Sequence, residues 1–438
     1  MRIRLGSGQR ESWMFFMTII YRGLLDLVYC LYASRTFEYL GLTYEFNVTK
    51  LLISWALLFI CFPTMKKCFT RAKFSHAIML FLLFLAYIPY TTLTAFFGYQ
   101  YSFIAANSVY WILFFFLFDH FPVTRGSLSV SVNSDWALLV IESIFAGTIV
   151  FISWRYTGFR FTIGLSDAYS YRAEAKLAGM PTVLSYLFAA SKAVNPIILV
   201  YFLSRKKYIK TGLVALIQIL SFSVNGSKTV LLSTLCAVAV FFIYDDSFLK
   251  KIPVLMGGLG LATYLEPAVL GTNYLLAYIV RRVLFVPNQL GAYYYDFFSV
   301  NPPDYYKQGF LRLFGAKSVY GMPIVNMIAD SYFGKPDMAS NSGLVSDAVA
   351  NFGPVGVVIM PVVLVIVLRL LDKCAEGVEK RLYISMSVII AFILISTFLP
   401  TVLLTHGLIA LGLVLLIMPR KEEERESEIL NTWALRKA

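Results

Sequence analysis

Apolar residues recur along the chain in about twelve runs, separated by shorter polar stretches. Their cores fall near residues 13–33, 51–65, 75–96, 103–118, 136–153, 183–204, 211–224, 229–244, 252–269, 353–371, 382–399 and 401–418. A helix that crosses a bilayer needs ~17–25 mostly apolar residues. The pattern therefore predicts an all-α, polytopic integral membrane protein with about twelve transmembrane helices, up to fourteen if longer stretches divide. Pro89 predicts a kink in the third run. No internal repeat is visible.

Basic residues set the expected orientation. Arg2, Arg4 and Arg10 precede the first run, and Lys66, Lys67, Arg71 and Lys73 follow the second. Arg205, Lys206, Lys207 and Lys210 follow the sixth; Lys373, Lys380 and Arg381 follow the tenth; Arg420 and Lys421 follow the last. With twelve crossings all of these share one side, which the positive-inside bias makes the cytoplasm. Both termini are then cytoplasmic. The expected organisation is a single polytopic domain over residues 1–438 with two large periplasmic loops, 154–182 and 271–352, and a cytoplasmic tail, 419–438, that mixes both charges.

The two loops depart from the expected pattern. The first carries Arg155, Arg160, Arg172 and Lys176 on the side where basic residues are scarce. The second is far longer than an ordinary connection. It is rich in Tyr, Phe, Gly and Asn, which argues against disorder. Short interfacial helices are expected there, with Tyr278 to Phe285 partly embedded.

Composition agrees with the periodicity. The 438 residues are 58% hydrophobic and 14% charged, with mean hydropathy +0.71; soluble domains are ~25% charged. The first apolar run is of spanning length and contains Arg22 and Asp26, so it reads as a membrane helix rather than a signal segment. The net charge of +13 has no soluble basic domain to carry it, which disfavours nucleic-acid binding. Cys30, Cys61, Cys68, Cys236 and Cys374 show no metal spacing and none lies in the large loops, so free thiols are expected. His76, His120 and His406 are scattered and indicate no metal centre. No Walker A, G-x-S-x-G or DxD-type pair is present.

One stretch is anomalous: Tyr278 to Phe298, YIVRRVLFVPNQLGAYYYDFF. Adjacent Arg281 and Arg282 interrupt an otherwise apolar run, and Pro287 and Gly291 break any simple continuous helix. Arginine near hydrocarbon is costly and usually faces a cavity or a partner. A phosphate or diphosphate suits the guanidinium fork. The alternative is that both side chains snorkel to lipid headgroups. On a helix the two point ~100° apart. Arg172, in SYRAEAKLAG, and Lys228, following the Asn225–Gly226–Ser227 turn, are further candidate diphosphate contacts. Each is also readable as a solvated or interfacial residue. A glycosyl transfer needs a group to take the proton of the attacking hydroxyl. Asp347, with Asp330 and Asp337 upstream, is the candidate, against an ordinary capping or surface role. Tyr293, Tyr294, Tyr295, Tyr305 and Tyr306 are candidates to stack on sugar rings, against an interfacial aromatic belt. Arg22 and Asp26 should pair on one helix face, and Glu142 with Lys192 between helices.

With these residues the chain resembles the Wzy-type O-antigen polymerases, integral membrane glycosyltransferases of the GT-C kind. The likeness covers most of the chain in architecture and is sharper in YIVRRVLFVPNQLGA, SYRAEAKLAG, NGSKTVLLS and KPDMASNSGLVSDAVANFGPVGVV. The last contains Pro336, Asp337, Met338, Asn341 and the G-x-x-G of Gly353 and Gly356. Family members often show arginine, ten residues, then glycine; here Arg281 is followed by nine residues before Gly291, and Gly179 follows Arg172 too early.

The resemblance implies a bacterial inner-membrane enzyme whose substrate is an undecaprenyl-diphosphate-linked oligosaccharide repeat. The growing glycan would pass at the periplasmic face from its carrier to the non-reducing end of a new lipid-linked repeat. It implies no cofactor, metal or nucleotide, with Arg281, Arg282, Arg172 and Lys228 stabilising diphosphate and Asp347, Arg281 and Arg282 at the catalytic centre. A chain-length regulator and a flippase of the same pathway are the implied partners. Two other readings stay open. An O-antigen ligase would usually place a histidine in the large loop, which holds none here. A non-enzymatic flippase of lipid-linked oligosaccharide would place its cations in a central cavity.

Overall fold

The structure is a computed structural model that describes residues 7–121, 128–130, 132–160 and 179–420. Most of the first large loop and the tail beyond Arg420 lie outside the described residues. What is described is all-helical, and ten helices are long and apolar enough to cross a membrane. They are α1 (Glu11–Thr36), α2 (Val48–Thr70), α3 (Phe74–Phe96), α4 (Tyr101–His120), α5 (Ser134–Thr157), α6 (Thr182–Ser204), α7 (Tyr208–Asn225), α9 (Phe248–Leu270), α12 (Val345–Ala375) and α14 (Leu399–Ile417). Two shorter apolar helices lie among them, α8 (Lys228–Ile243) and α13 (Lys380–Ser396). Between α9 and α12 lie a helix over residues 274–300 (α10) and a short α11 (Ile324–Phe333).

The hydrophobic pattern decides which helix is central. In α3, 94% of the most apolar window is buried, and it packs against α2, α1 and α13. Helices α1 and α9 pair along one flank, and α5, α6, α7 and α8 group on another. Near the first large loop, Ile149, Ile152, Phe188 and Val224 form a small apolar cluster of their own, apart from the main core.

The two ends of the bundle differ chemically. At the basic end, Lys66 pairs with Glu11 at 2.8 Å and Lys67 with Asp119 at 3.0 Å. There too Arg420 donates to the Cys374 carbonyl at 3.0 Å and the Leu128 carbonyl at 2.8 Å. The opposite, loop end gathers residues 37–47, residues 97–100, α10 and α11. Its strands of contact include the Glu45 N–H donating to the Phe96 carbonyl at 2.8 Å and the Gly343 N–H donating to the Ile395 carbonyl at 2.8 Å.

Prolines leave a repeated signature. Pro89 has no N–H, and its ring would clash with the carbonyl four residues back. The chain widens to a π-helical turn over Leu83–Tyr87 just before it, so α3 continues as a helix through the expected kink. The same happens at Pro287. Residues 274–300 form one continuous helix, π-helical over Leu276–Phe285 and α-helical over Val286–Val300. The break expected at Pro287 and Gly291 is therefore a change of helical register. The Asn288 amide joins the two π segments, donating to the Ala86 carbonyl at 3.1 Å and the Leu284 carbonyl at 2.9 Å.

Arg22 and Asp26 pair as expected, and Arg22 also donates to Thr91 Oγ1 at 2.8 Å and Ser54 Oγ at 3.1 Å. The expected Glu142–Lys192 pair does not form: neither Glu142 oxygen has a hydrogen-bond partner, although the residue is buried. Lys192 instead lies over the Phe188 ring at 5.6 Å.

Candidate functional site at the loop end

The arginine helix is anchored from below. Glu266, near the end of α9, is buried and accepts three hydrogen bonds. Thr272 Oγ1 donates to it at 2.9 Å, the Tyr274 N–H at 2.6 Å and the Leu275 N–H at 2.8 Å. A carboxylate on the unpaired N–H groups of a helix start is favourable in hydrogen bonding and in charge. Glu266 thus fixes where α10 begins. One face of α10, with Leu276, Val280, Leu284, Gln289, Leu290, Tyr294 and Phe298, is buried against α3, α4 and α12. Asn288 reaches Ala86, which lies roughly 15 Å along α3 from its Phe96 end at ~1.5 Å per residue. The helix therefore reaches down among the spans instead of lying wholly across their ends.

The arginines are the eighth and ninth residues of this helix. The Arg281 guanidinium stacks over the Phe37 ring at 4.7 Å and is half-buried, whereas Arg282 is exposed. Burial lowers the Arg281 pKa from its ordinary value, opposed by the nearby Tyr39 and reinforced by Arg282. Arginine keeps its charge at neutral pH across such a shift. Among the described residues neither arginine has a carboxylate within ion-pair distance. Arg281 Nε is buried without a hydrogen-bond partner. Among the described residues, two adjacent guanidinium groups thus stand at the loop end without an acidic partner.

The other expected cations are not brought to this pair. Arg172 lies outside the described residues. Lys228 is described only as the first residue of α8, which packs against α6, α7 and α13. The arginine helix packs instead on α3, α4, α11 and α12.

Asp347 occupies a closed site. It is 1% exposed, at the start of α12. The Leu399 N–H donates to its Oδ2 at 2.6 Å and Asn351 Nδ2 to its Oδ1 at 2.8 Å, and the Tyr306 hydroxyl lies against it. Asn351 in turn accepts the Tyr306 N–H at 2.8 Å. With both oxygens engaged, Asp347 caps α14 and ties residues 304–306 to α12. Three donors fill most of its acceptor positions, and the side chain is closed off from solvent. The G-x-x-G beside it has a steric reason: a Cβ on Gly356 would lie 2.0 Å from the Ala348 carbonyl, and Gly353 has φ +60°.

The five tyrosines divide. Tyr294 is fully buried and donates to the Ser340 carbonyl at 3.0 Å, so it is a core residue and offers no face to a sugar. Tyr306 packs edge-on against Phe352, and burial with the adjacent Asp347 raises its pKa. Tyr295 packs on Phe103 with ring centroids 5.6 Å apart. Tyr293 stacks on Tyr332 at 4.5 Å with the rings within 8° of parallel. Tyr305 is 48% exposed, with Lys307 over its ring at 5.6 Å.

Several groups escaped the sequence reading. Glu266 sits in an apolar run and gives no motif. Asn107 lines a narrow cleft with Asn288, Ser342 and Ser346, and its buried Oδ1 has no partner. Asp296 is an exposed carboxylate on α10 that accepts the Tyr332 hydroxyl at 2.5 Å and Gln100 Nε2 at 3.4 Å. Among the described residues no cluster of His, Cys, Asp or Glu has the makings of a metal site.

Comparison with protein-family profiles, with curated proteins and with solved structures yields no match. The reading of this site therefore rests on its own residues.

Proposed function

We propose that this protein is a membrane glycosyltransferase that polymerises undecaprenyl-diphosphate-linked oligosaccharide repeats at the periplasmic face of the bacterial inner membrane. The observation that carries the reading is the Arg281–Arg282 pair, at the end of the bundle opposite the lysine-rich one and without a carboxylate partner among the described residues. Under the positive-inside bias the lysine-rich end is cytoplasmic, so the pair faces the compartment where assembled repeats are joined. A prenyl diphosphate is an amphiphile with a concentrated anionic head. It suits guanidinium groups held at the edge of a hydrocarbon-embedded bundle.

Cations whose positions are set before the ligand arrives bind a diphosphate at lower ordering cost. Here the organisation comes from Glu266, which holds the helix start, and from Phe37, which braces one guanidinium. Asp347 serves on this reading to fix residues 304–306 and the start of α14. Tyr305 and Tyr293 offer aromatic surface towards the loop end. The growing glycan leaves its lipid carrier and joins the end of a new lipid-linked repeat, with a chain-length regulator and a flippase as pathway partners.

The test is complementation of a deletion strain, read as the ladder of surface glycan. Deletion should leave lipid A core capped by one repeat, and R281A, R281K, R282A and R282K should fail to restore the ladder fully. A wild-type ladder from all four variants would overturn the proposal. Polymer stranded on the lipid carrier in the deletion strain would indicate a ligase, and the absence of any surface repeat a flippase.

A further inference from the structure

At the loop end Glu38, Glu45, Asp296, Asp330 and Asp337 are exposed carboxylates, and Asp296 stands between two neutral side-chain donors. Asp347, Asp304 and Glu266 are buried and engaged by backbone or side-chain donors. Asp296 is exposed, and its recorded partners are neutral: the hydroxyl of Tyr332 on α11 and the amide of Gln100 at the start of α4. Among the described residues it forms no ion pair. Burial and the adjacent Asp296 carboxylate raise the Tyr332 pKa, which keeps that hydroxyl a proton donor. The Tyr293–Tyr332 stack, with Phe333 edge-on to Tyr293 at 5.6 Å, holds the group from one side. Gln289 Nε2 ties Tyr293 to the chain near α1, lying 3.1 Å from the Tyr293 hydroxyl and 2.9 Å from the Leu40 carbonyl.

A carboxylate flanked by an amide and a phenol, beside an aromatic stack, is a donor–acceptor array matched to the vicinal hydroxyls of a sugar. Hydroxyl-to-carboxylate hydrogen bonds are roughly twice as strong as neutral ones.

The position of this array is as informative as its chemistry. Arg282 and Asp296 are both exposed on the same continuous helix. At ~1.5 Å per residue they stand roughly 20 Å apart. One reacting carbon cannot touch both. A donor sugar is bonded directly to its diphosphate, so the pair cannot serve the two sides of that bond. An acceptor repeat, by contrast, carries its diphosphate at one end and its attacking hydroxyl at the other.

We propose that Asp296, with Gln100 and Tyr332, is a carbohydrate subsite that binds the non-reducing sugar of the acceptor repeat while Arg281 and Arg282 hold that repeat's diphosphate. The assignment rests on the function proposed above and deepens it. The arginine pair becomes the acceptor's anchor, and the length of α10 between the pair and Asp296 becomes a ruler for the repeat. Asp296, Gln100 and Tyr332 then determine which terminal sugar is accepted.

The test uses full-length protein in lipid nanodiscs and two separate probes: the repeat oligosaccharide released from its lipid carrier in the strain that makes it, and undecaprenyl diphosphate alone. The expected result is saccharide binding that D296N, Q100L and Y332F each weaken by about tenfold or more, with melting temperatures near wild type. Q100L and Y332F keep the experiment decisive if D296N folds poorly. R281A and R282A should each weaken undecaprenyl diphosphate binding by about tenfold or more and keep the free saccharide. Wild-type saccharide affinity in all three subsite variants would overturn the proposal. So would a wild-type protein that binds undecaprenyl diphosphate but no saccharide, a result that leaves the proposed function standing. Binding of neither probe would remove both.

Discussion

The Glu266 carboxylate meets the Leu275 amide at 2.8 Å, and this contact places the arginine helix. Glu266 is committed to the helix start, with Tyr274 and Thr272 completing its shell. Its negative charge stabilises backbone N–H groups and forms no ion pair with Arg281 or Arg282.

Glu266→Ala should therefore abolish most polymer formation although Glu266 touches no substrate. Loss of the cap costs ~1 kcal/mol of helix stability, and the arginines lose their register with it. Glu266→Gln keeps an acceptor oxygen and should retain more activity. The check is the glycan ladder alongside protein level in the membrane. Equal, full activity of both variants would show that the helix start is set by other contacts.

Asn288 makes a second prediction. Its amide serves carbonyls from two π-helical segments, Ala86 and Leu284. Asn288→Leu removes both donors from partly buried carbonyls, and each unmet group costs ~1–3 kcal/mol. The purified variant should melt at clearly lower temperature, and any residual protein should have weakened lipid-diphosphate binding.

Gly343 and Gly356 carry a steric prediction. A Cβ at either would fall 2.0 Å from a backbone carbonyl, that of Leu394 or Ala348. Backbone cannot yield as a flexible side chain can, so Gly343→Ala and Gly356→Ala should each cost at least ~3 kcal/mol, at the upper end of overpacking effects. Folded yield in detergent measures this directly.

Tyr294 and Tyr305 should separate stability from substrate handling. Tyr294→Phe removes the hydrogen bond to Ser340 and should cost ~1 kcal/mol of stability, with turnover per folded molecule unchanged. Tyr305→Ala should leave melting nearly unchanged and reduce polymer length or rate. Thermal unfolding and glycan ladders on the same pair of variants test the division.

The spans were legible because hydrocarbon demands long apolar runs, and the arginine pair stood out because that same demand makes it expensive. The pairing of Arg22 with Asp26 followed from helical spacing alone. The faces of Tyr293, Tyr294 and Tyr295 were not legible. They depend on the helical phase after the π-to-α change at Phe285–Val286, just before Pro287. Glu266 was hidden because a capping carboxylate at the end of an apolar run carries no local motif. Its partners lie across a turn. Sequence places Asp347 at the mouth of a span but not its partners. Its engagement by Leu399 and Asn351 depends on α12 and α14 meeting, which no local pattern encodes. Asp296 was masked by the tyrosines before it, and its character comes from Gln100 and Tyr332, both distant in the chain.

The most direct measurement is undecaprenyl diphosphate binding to the purified full-length protein in nanodiscs, by native mass spectrometry, for wild type, R281A, R282A and the double variant. The account predicts a bound lipid diphosphate in wild type, weakened by at least about tenfold in each single variant and absent in the double variant, with undecaprenyl monophosphate bound less well throughout. Equal occupancy in wild type and the double variant would contradict it.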